Sequence, residues 1–187
     1  GCRNSAANHD AIIVGGRTNT ATGSAAYIGG GICVYAKDDY STVVNGANLS
    51  ACGKFTFIGA GLANSIGSGG ISDGFSTIVG GQSSRIGDGS AGSSHSFIGG
   101  GHCNVVYGLS SSILGGSSNF IEHSIKGVVI GGGVNNRAYQ NHTVIGGGVG
   151  NCVNAAGATI AGGEKNQATG NYSTVGGGVN NQACTTE

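Results

Sequence analysis

The stretch "NYSTVGGGVNNQA" at residues 171–183 indicates the architecture of the chain, because close variants of it recur along the sequence. "VVIGGGVNNRA" occupies residues 128–138, and "HTVIGGGVGN" occupies residues 142–151. We call the aliphatic residue three places before the last glycine of each variant the anchor. The anchors are Ile13, Ile28, Val43, Ile58, Ile78, Ile98, Ile113, Ile130, Ile145, Ile160 and Val175. They are separated by 15 residues seven times, by 20 twice and by 17 once, which defines eleven copies of a 15-residue unit with three insertions.

Three other positions of the unit also hold one residue type or class. The eighth residue after the anchor is always Ala, Val or Ile. The third residue after the anchor is always glycine: Gly16, Gly31, Gly46, Gly61, Gly81, Gly101, Gly116, Gly133, Gly148, Gly163 and Gly178. The sixth is asparagine in eight of eleven copies, with an unbroken run of Asn104, Asn119, Asn136, Asn151, Asn166 and Asn181. A repeat of this kind indicates similar coils stacked on one another.

Each repeated position has a physical interpretation. The segment before the glycines, such as "YSTV", favours a short strand, and the segment after them alternates with a period of two. Coils stacked about 4.8 Å apart would pair these short strands into two parallel sheets. The glycine suits a corner that needs a positive φ or has no room for a side chain. The asparagine suits a ladder in which each amide bonds the next amide and the turn backbone. We therefore predict an all-β protein, a parallel β-solenoid of about eleven two-strand coils.

The composition excludes several classes of protein. The chain has 187 residues, of which 41 are Gly and none is Pro, Met or Trp. Glycine does not occupy every third position, which excludes collagen, and an apolar share of 38% is atypical of disordered chains. The zero net charge argues against a nucleic-acid partner. No apolar run approaches the roughly 20 residues that span a membrane, so we expect no membrane insertion.

We predict that residues 1–187 form a single repeat domain. The repeat extends back to the first residue, since Gly1, Asn4 and Ala6 fall at the glycine, asparagine and small-residue positions. Neither end carries a recognisable cap, although solenoids need one. We therefore expect this chain to be a segment of a longer fibre.

The residues just before the anchors suggest a subunit interface. Six of these eleven residues are apolar or aromatic. They are Ile12, Tyr27, Phe57, Phe97, Val129 and Val144. The outward positions of the second strand are mostly polar, as at Arg85, Arg137 and Gln182. An exposed apolar stripe usually marks an interface, so we predict that the first sheet faces other subunits and the second faces water. The alternative is a half-apolar surface that faces solvent.

Two further features have both a functional and a structural interpretation. An aromatic column three places before the anchor comprises Tyr40, Phe55, Phe75 and His95. It suggests either a surface on which sugars stack or a ladder that stiffens the rod. The two longer insertions predict protruding loops at 67–75 and 87–95, which are either plain surface loops or a calcium site at Asp73 and Asp88.

Catalytic, metal and disulfide chemistry find little support in the sequence. The histidines fall mostly in different columns and distant coils, so they are not expected to converge on a metal ion. Most cysteine pairs are several coils apart. Only Cys33 and Cys52 occupy neighbouring coils, in columns four positions apart, and we expect no disulfide within the chain. We predict a protein without catalytic residues, cofactor or metal, and hence no enzyme.

The phrase "ATGNYSTVGGGVNNQA" at 168–183 resembles the head-domain repeats of YadA-like trimeric autotransporter adhesins and related repeats of phage and virus fibres. Its small-residue and glycine positions, as at Ala168, Gly170 and Val175, carry the resemblance, although the unit here is longer and contains additional glycines. The resemblance implies left-handed coils, three chains packed side by side, and an adhesive rod. It also implies an extracellular location at a cell or virion surface.

Three functions remain as hypotheses. The first is a non-enzymatic, homotrimeric fibre segment with a structural or adhesive role and an unknown surface ligand. The second is an acyltransferase of the hexapeptide-repeat type, which the 15-residue spacing disfavours because that fold uses 18-residue coils. The third is an ice-binding solenoid, whose regular threonine array would be interrupted here by Tyr27, Phe57 and Phe97.

Overall fold

Two long parallel sheets make up the structure, a computed structural model that describes residues 1–67, 74–88 and 93–184. These residues form 23 strands of two residues each and no helix. The strands alternate between the two sheets along the chain, so that each coil contributes one strand to each sheet. This arrangement confirms the predicted all-β solenoid of about eleven turns.

The first sheet contains the eleven strands that carry the anchors. They are β2 (Ile12–Ile13), β4 (Tyr27–Ile28), β6 (Thr42–Val43), β8 (Phe57–Ile58), β10 (Thr77–Ile78), β12 (Phe97–Ile98), β14 (Ser112–Ile113), β16 (Val129–Ile130), β18 (Val144–Ile145), β20 (Thr159–Ile160) and β22 (Thr174–Val175).

The second sheet contains the twelve strands that end on the small apolar residue of each unit. They are β1 (Ser5–Ala6), β3 (Thr20–Ala21), β5 (Tyr35–Ala36), β7 (Ser50–Ala51), β9 (Ser65–Ile66), β11 (Arg85–Ile86), β13 (Val105–Val106), β15 (Phe120–Ile121), β17 (Arg137–Ala138), β19 (Cys152–Val153), β21 (Gln167–Ala168) and β23 (Gln182–Ala183).

Strand register is the same in every coil, whatever the coil length. Ile145 pairs with Ile160 across a 15-residue coil. Ile58 pairs with Ile78 across one 20-residue spacing, and Ile113 pairs with Ile130 across the 17-residue spacing. The insertions therefore leave the anchor column continuous.

The core is a thin double row of aliphatic side chains between the sheets. The second residue of each strand points inward, and the anchors from Ile28 to Ile160 have no solvent exposure. The opposite row is as fully buried from Ala21 to Ala168. Each buried Ile or Val contributes roughly 1.5–3 kcal/mol, so burial repeated in every coil stabilises strands that are individually too short to form.

A third, minor ladder follows the glycine corner, and the sequence analysis did not predict it. The residue four places after the anchor forms a single parallel bridge to its equivalent in the next coil, from Cys2–Arg17 at one end to Glu164–Val179 at the other. The corner before it requires glycine. Gly148, for example, has a φ of 91°, and a β-carbon there would collide with the carbonyl oxygen of Gly163.

Candidate binding surfaces

The asparagine ladder lies inside the solenoid and caps backbone groups at the glycine corner. Asn136 Nδ2 donates to the carbonyl oxygen of Gly132 at 2.8 Å and to that of Gly148 in the next coil at 3.0 Å. Its Oδ1 accepts the backbone N–H of Asn151 at 3.0 Å. Both amide hydrogens of Asn136 are donated to backbone carbonyl oxygens, so the ladder is built from bonds between side-chain amides and the backbone. A bond between two side-chain amides occurs only from Asn119 Nδ2 to Asn104 Oδ1, at 3.2 Å. These statements concern the residues that the structure describes.

The other asparagines of the run are placed in the same way. Asn104, Asn119, Asn151 and Asn166 are fully buried and bond the equivalent carbonyls. Asn181 is exposed; within the described part of the chain its side-chain amide donates only to Gly177 O, and its backbone N–H donates to Asn166 Oδ1. In two coils the position holds Val34 or Leu49, which are also fully buried, so this column faces the core.

The six interface candidates lie in one outward row of the first sheet. Ile12 pairs with Tyr27, and Val129 pairs with Val144. The exposed fractions are 52% for Ile12, 37% for Tyr27 and Phe57, 40% for Val129 and 39% for Val144, while Phe97 is half-buried. These side chains are therefore available to a partner from β2 to β18, whereas the last two strands carry Thr159 and Thr174 in this row.

A second outward row, one place after the anchor, alternates with the first. Tyr27 and Phe57 each lie against a glycine of their own coil, since a β-carbon on Gly29 or Gly59 would be 3.5 or 3.4 Å from ring atom Cε1. The coils before, between and after these two carry an exposed valine at this position, at Val14, Val44 and Val79. In the first five coils, aromatic rings of the first row thus alternate with valines of the second row. We call the two rows together the apolar stripe.

Threonines of the first row are separated by aromatic residues. Thr42 lies between Tyr27 and Phe57, and Thr77 lies between Phe57 and Phe97. A flat, regular threonine array is therefore absent from this part of the described sheet.

The aromatic column forms a continuous stack at one corner of the solenoid. Ring centroids are 4.7 Å apart for Tyr40 and Phe55, 5.0 Å for Phe55 and Phe75, and 5.0 Å for Phe75 and His95. The ring planes are within 9° of parallel. Each inner ring has both faces covered by its neighbours, so a sugar has no open ring face on Phe55 or Phe75.

Charged groups stand beside this stack. Lys54 Nζ lies 3.0 Å from Asp39 Oδ2. That hydrogen bond lowers the pKa of Asp39, and the Ser24 N–H adds to the effect, whereas burial raises the pKa of Asp38. The pair is solvent-exposed and contributes little to stability.

The predicted loops fall largely outside the described residues. Residues 68–73 and 89–92 are not described, and Asp73 is among them. Asp88 Oδ2 lies 3.7 Å from His123 Nδ1. Within the described ranges, no three His, Cys, Asp or Glu side chains come together as they would around a metal ion. All six cysteine thiols are free.

An aromatic groove on the second sheet was not anticipated from the sequence. Its floor is the outward row Val105, Phe120 and Arg137 of three successive coils, which pair directly with one another. Two places further along, Tyr139 and Glu122 complete one wall. The groove has a volume of about 400 Å³.

The rings around the groove are inclined to one another. Tyr107 meets Phe120 at 85° with centroids 5.8 Å apart, and Tyr139 meets Phe120 at 53° and 6.2 Å. His123, in the 17-residue coil, stacks on Tyr107 at 3.9 Å. On the neighbouring strand, burial raises the pKa of the Cys152 thiol against the opposing effects of Asn154 and Arg137.

Alignment of the outward positions would have located this groove. The seventh and ninth residues after the anchor are small or polar in most coils, but are Val105 and Tyr107, then Phe120, then Arg137 and Tyr139 in three consecutive coils. The prediction of a water-facing second sheet was based on the residue types that prevail over all coils, and it therefore missed this local cluster.

Comparisons with known proteins give no further identification. No protein-family model matches the chain, and no significant match was found among curated proteins. In the described part of the chain, no helix has the length and apolar character needed to cross a membrane.

Proposed function

We propose that this chain is a non-enzymatic segment of a rigid surface fibre, which mediates attachment or assembly. In this proposal three copies pack side by side through their first sheets, and the coils are left-handed, as the resemblance to adhesin head repeats implies. The fibre acts outside the cell, at a cell or virion surface. Its partners are copies of itself and a surface ligand.

The apolar stripe is the observation that carries the proposal. It extends from Ile12 to Val144, over nine of the eleven coils of the first sheet, about 40 Å at the usual strand spacing. Its side chains remain substantially exposed in the single chain, as the 52% of Ile12 and 67% of Val14 show. Soluble monomers rarely leave so long an apolar surface in water, so a partner that covers it is expected.

The shape of the stripe supports a second copy of this chain as that partner. Because Tyr27 lies against Gly29 and Phe57 against Gly59, the rings fill grooves within their own coil. The resulting surface suits another sheet of the same coil spacing. Packing side by side leaves the second sheet, with its groove, open to a ligand.

A mass measurement of the assembled protein tests the proposal. Native mass spectrometry of the full chain is expected to show a homotrimer, and Phe57→Lys should shift it to monomer because three buried ammonium groups would be unpaired. Ser65→Lys, in the same coil but on the second sheet, is the matched control and should leave the trimer intact. A wild-type monomer at micromolar concentration would overturn the proposed assembly.

A further inference from the structure

The groove on the second sheet combines open aromatic rings with unpaired charge. In the corner stack, parallel rings cover each other's faces, as at Phe55. In the groove, Tyr139 is inclined at 53° to Phe120, so the two rings diverge and leave ring surface uncovered. Both side chains are half-buried, which holds them in place without removing them from solvent contact.

One carboxylate and one guanidinium flank these rings. Glu122 Oε1 accepts the backbone N–H of His123 at 2.9 Å, which positions the carboxylate and leaves its other oxygen available. Arg137 forms no ion pair with any described residue. The groove thus offers a hydrogen-bond acceptor and a multiple donor beside an aromatic surface.

The backbone around the groove cannot recognise a ligand by strand addition. The N–H groups of Val105, Phe120 and Arg137 each donate to a carbonyl of the next coil. A peptide therefore finds no free sheet edge here, and recognition is left to side chains. An anionic polymer would need an excess of positive charge, whereas the groove holds one acid and one base.

We propose that this groove binds a neutral saccharide. A sugar ring would stack its C–H face on Phe120 and Tyr139, donate hydroxyl hydrogens to Glu122 and accept from Arg137. The volume of about 400 Å³ lies within the range of small-ligand sites. The inference rests on the attachment role proposed above and deepens it by naming a class of ligand.

Binding of short neutral oligosaccharides to the full chain tests this inference. Oligomers of glucose, galactose, mannose and N-acetylglucosamine would be screened by saturation-transfer NMR, and any binder titrated by calorimetry. We expect at least one oligomer to bind, and Phe120→Ala to weaken its association constant by about ten-fold or more. Arg137→Gln, an exposed change that leaves the fold intact, should also weaken it by several-fold.

Tyr35→Ala is the matched control. Tyr35 lies in the same outward row of the second sheet, far from the groove, and its loss should leave affinity unchanged. The inference is overturned if no oligosaccharide binds the wild type, or if Phe120→Ala and Arg137→Gln bind as the wild type does. A trimer that binds no saccharide would overturn this inference alone, whereas a monomer that binds would overturn only the proposed assembly.

Discussion

At the scale of single residues, the buried asparagine amide provides hydrogen-bond partners for backbone groups at the glycine corner. The chain turns sharply there, and carbonyl groups such as that of Gly132 have no strand partner. Asparagine supplies two donors and one acceptor at a fixed distance from the backbone. A shorter side chain does not reach these backbone groups, and an apolar side chain of similar size cannot form hydrogen bonds with them.

Replacement of Asn136 by alanine should be strongly destabilising. The backbone N–H of Asn151 and the carbonyl oxygen of Gly132 would both lose their partner, which we expect to lower the free energy of unfolding by about 2–3 kcal/mol. Asn154→Ala, an exposed asparagine of the same chain, is the control and should change it by less than about 0.5 kcal/mol. Chemical denaturation measures both, and equal effects would contradict the role of the ladder.

Ser84 interrupts the asparagine ladder, and its replacement by asparagine should stabilise the protein. The hydroxyl of Ser84 is buried and has no hydrogen-bond partner among the described residues. Ser84→Asn should complete the column between Asn64 and Asn104 and raise the free energy of unfolding by about 1 kcal/mol or more. Ser84→Ala, which removes the hydroxyl without adding an amide, should give a smaller gain. A melting temperature for Ser84→Asn below that of the wild type would contradict this prediction.

At the scale of the coil, two positions per turn besides the glycine corner adopt left-handed backbone conformations. They are the third residue before the anchor and the fifth after it, and side chains as different as Tyr40, Ala63 and Lys165 occupy them with φ between 52° and 58°. Such a conformation costs a non-glycine residue roughly 1–2 kcal/mol. The hydrogen bonds and core contacts of the stacked coils offset this cost.

Glycine at such a corner should therefore be stabilising. Ala63 is exposed and has a φ of 57°, so Ala63→Gly relieves backbone strain and loses little packing. After the entropy lost by the glycine on folding, we expect a net gain of about 0.5 kcal/mol. Ala51→Gly, at a fully buried strand position, should instead lower stability by about 1 kcal/mol or more. Thermal unfolding of the two variants should move in opposite directions.

The strands and glycine corners were predictable from the sequence, whereas the left-handed corners were not. Every anchor lies in a strand of the first sheet, as the strand-favouring segment before the glycines, such as "YSTV", indicated. The left-handed positions escaped prediction because residues such as Phe55, Phe75 and Thr18 have no intrinsic preference for that conformation. Closure of the coil imposes it on whatever residue falls there.

At the scale of the whole molecule, register survives changes in coil length. Ile78 pairs with Ile58 and with Ile98 although each spacing is 20 residues. Stability of such a stack is roughly the sum of coil and neighbour contributions. What the fold requires is that the segment from the anchor to the small apolar residue keeps its length.

Deletion of one coil tests this requirement. Removal of residues 149–163 joins Gly148 to Glu164 and keeps every column in register, so we expect a folded protein of slightly lower melting temperature. Removal of 149–162 leaves one extra glycine between Ile145 and Asn166, which displaces the asparagine and alanine columns. The free energy of unfolding of this variant should be lower by roughly a further 2–3 kcal/mol, because the asparagine amide no longer reaches its carbonyl partners. Equal stability by circular dichroism would contradict the register argument.

Repetition is why the solenoid, its core and its glycine corners were predictable from the sequence. Equivalent positions in successive coils share one environment, so their common residue type indicates that environment. It indicates burial at Ile113, a tight turn at Gly116 and a capped corner at Asn119. Which outward side chains come into contact depends on how neighbouring coils stack in the folded chain. The groove around Phe120 arises from single residues of adjacent coils, inclined by their local packing. No column average carries that information, because each of these contacts occurs once.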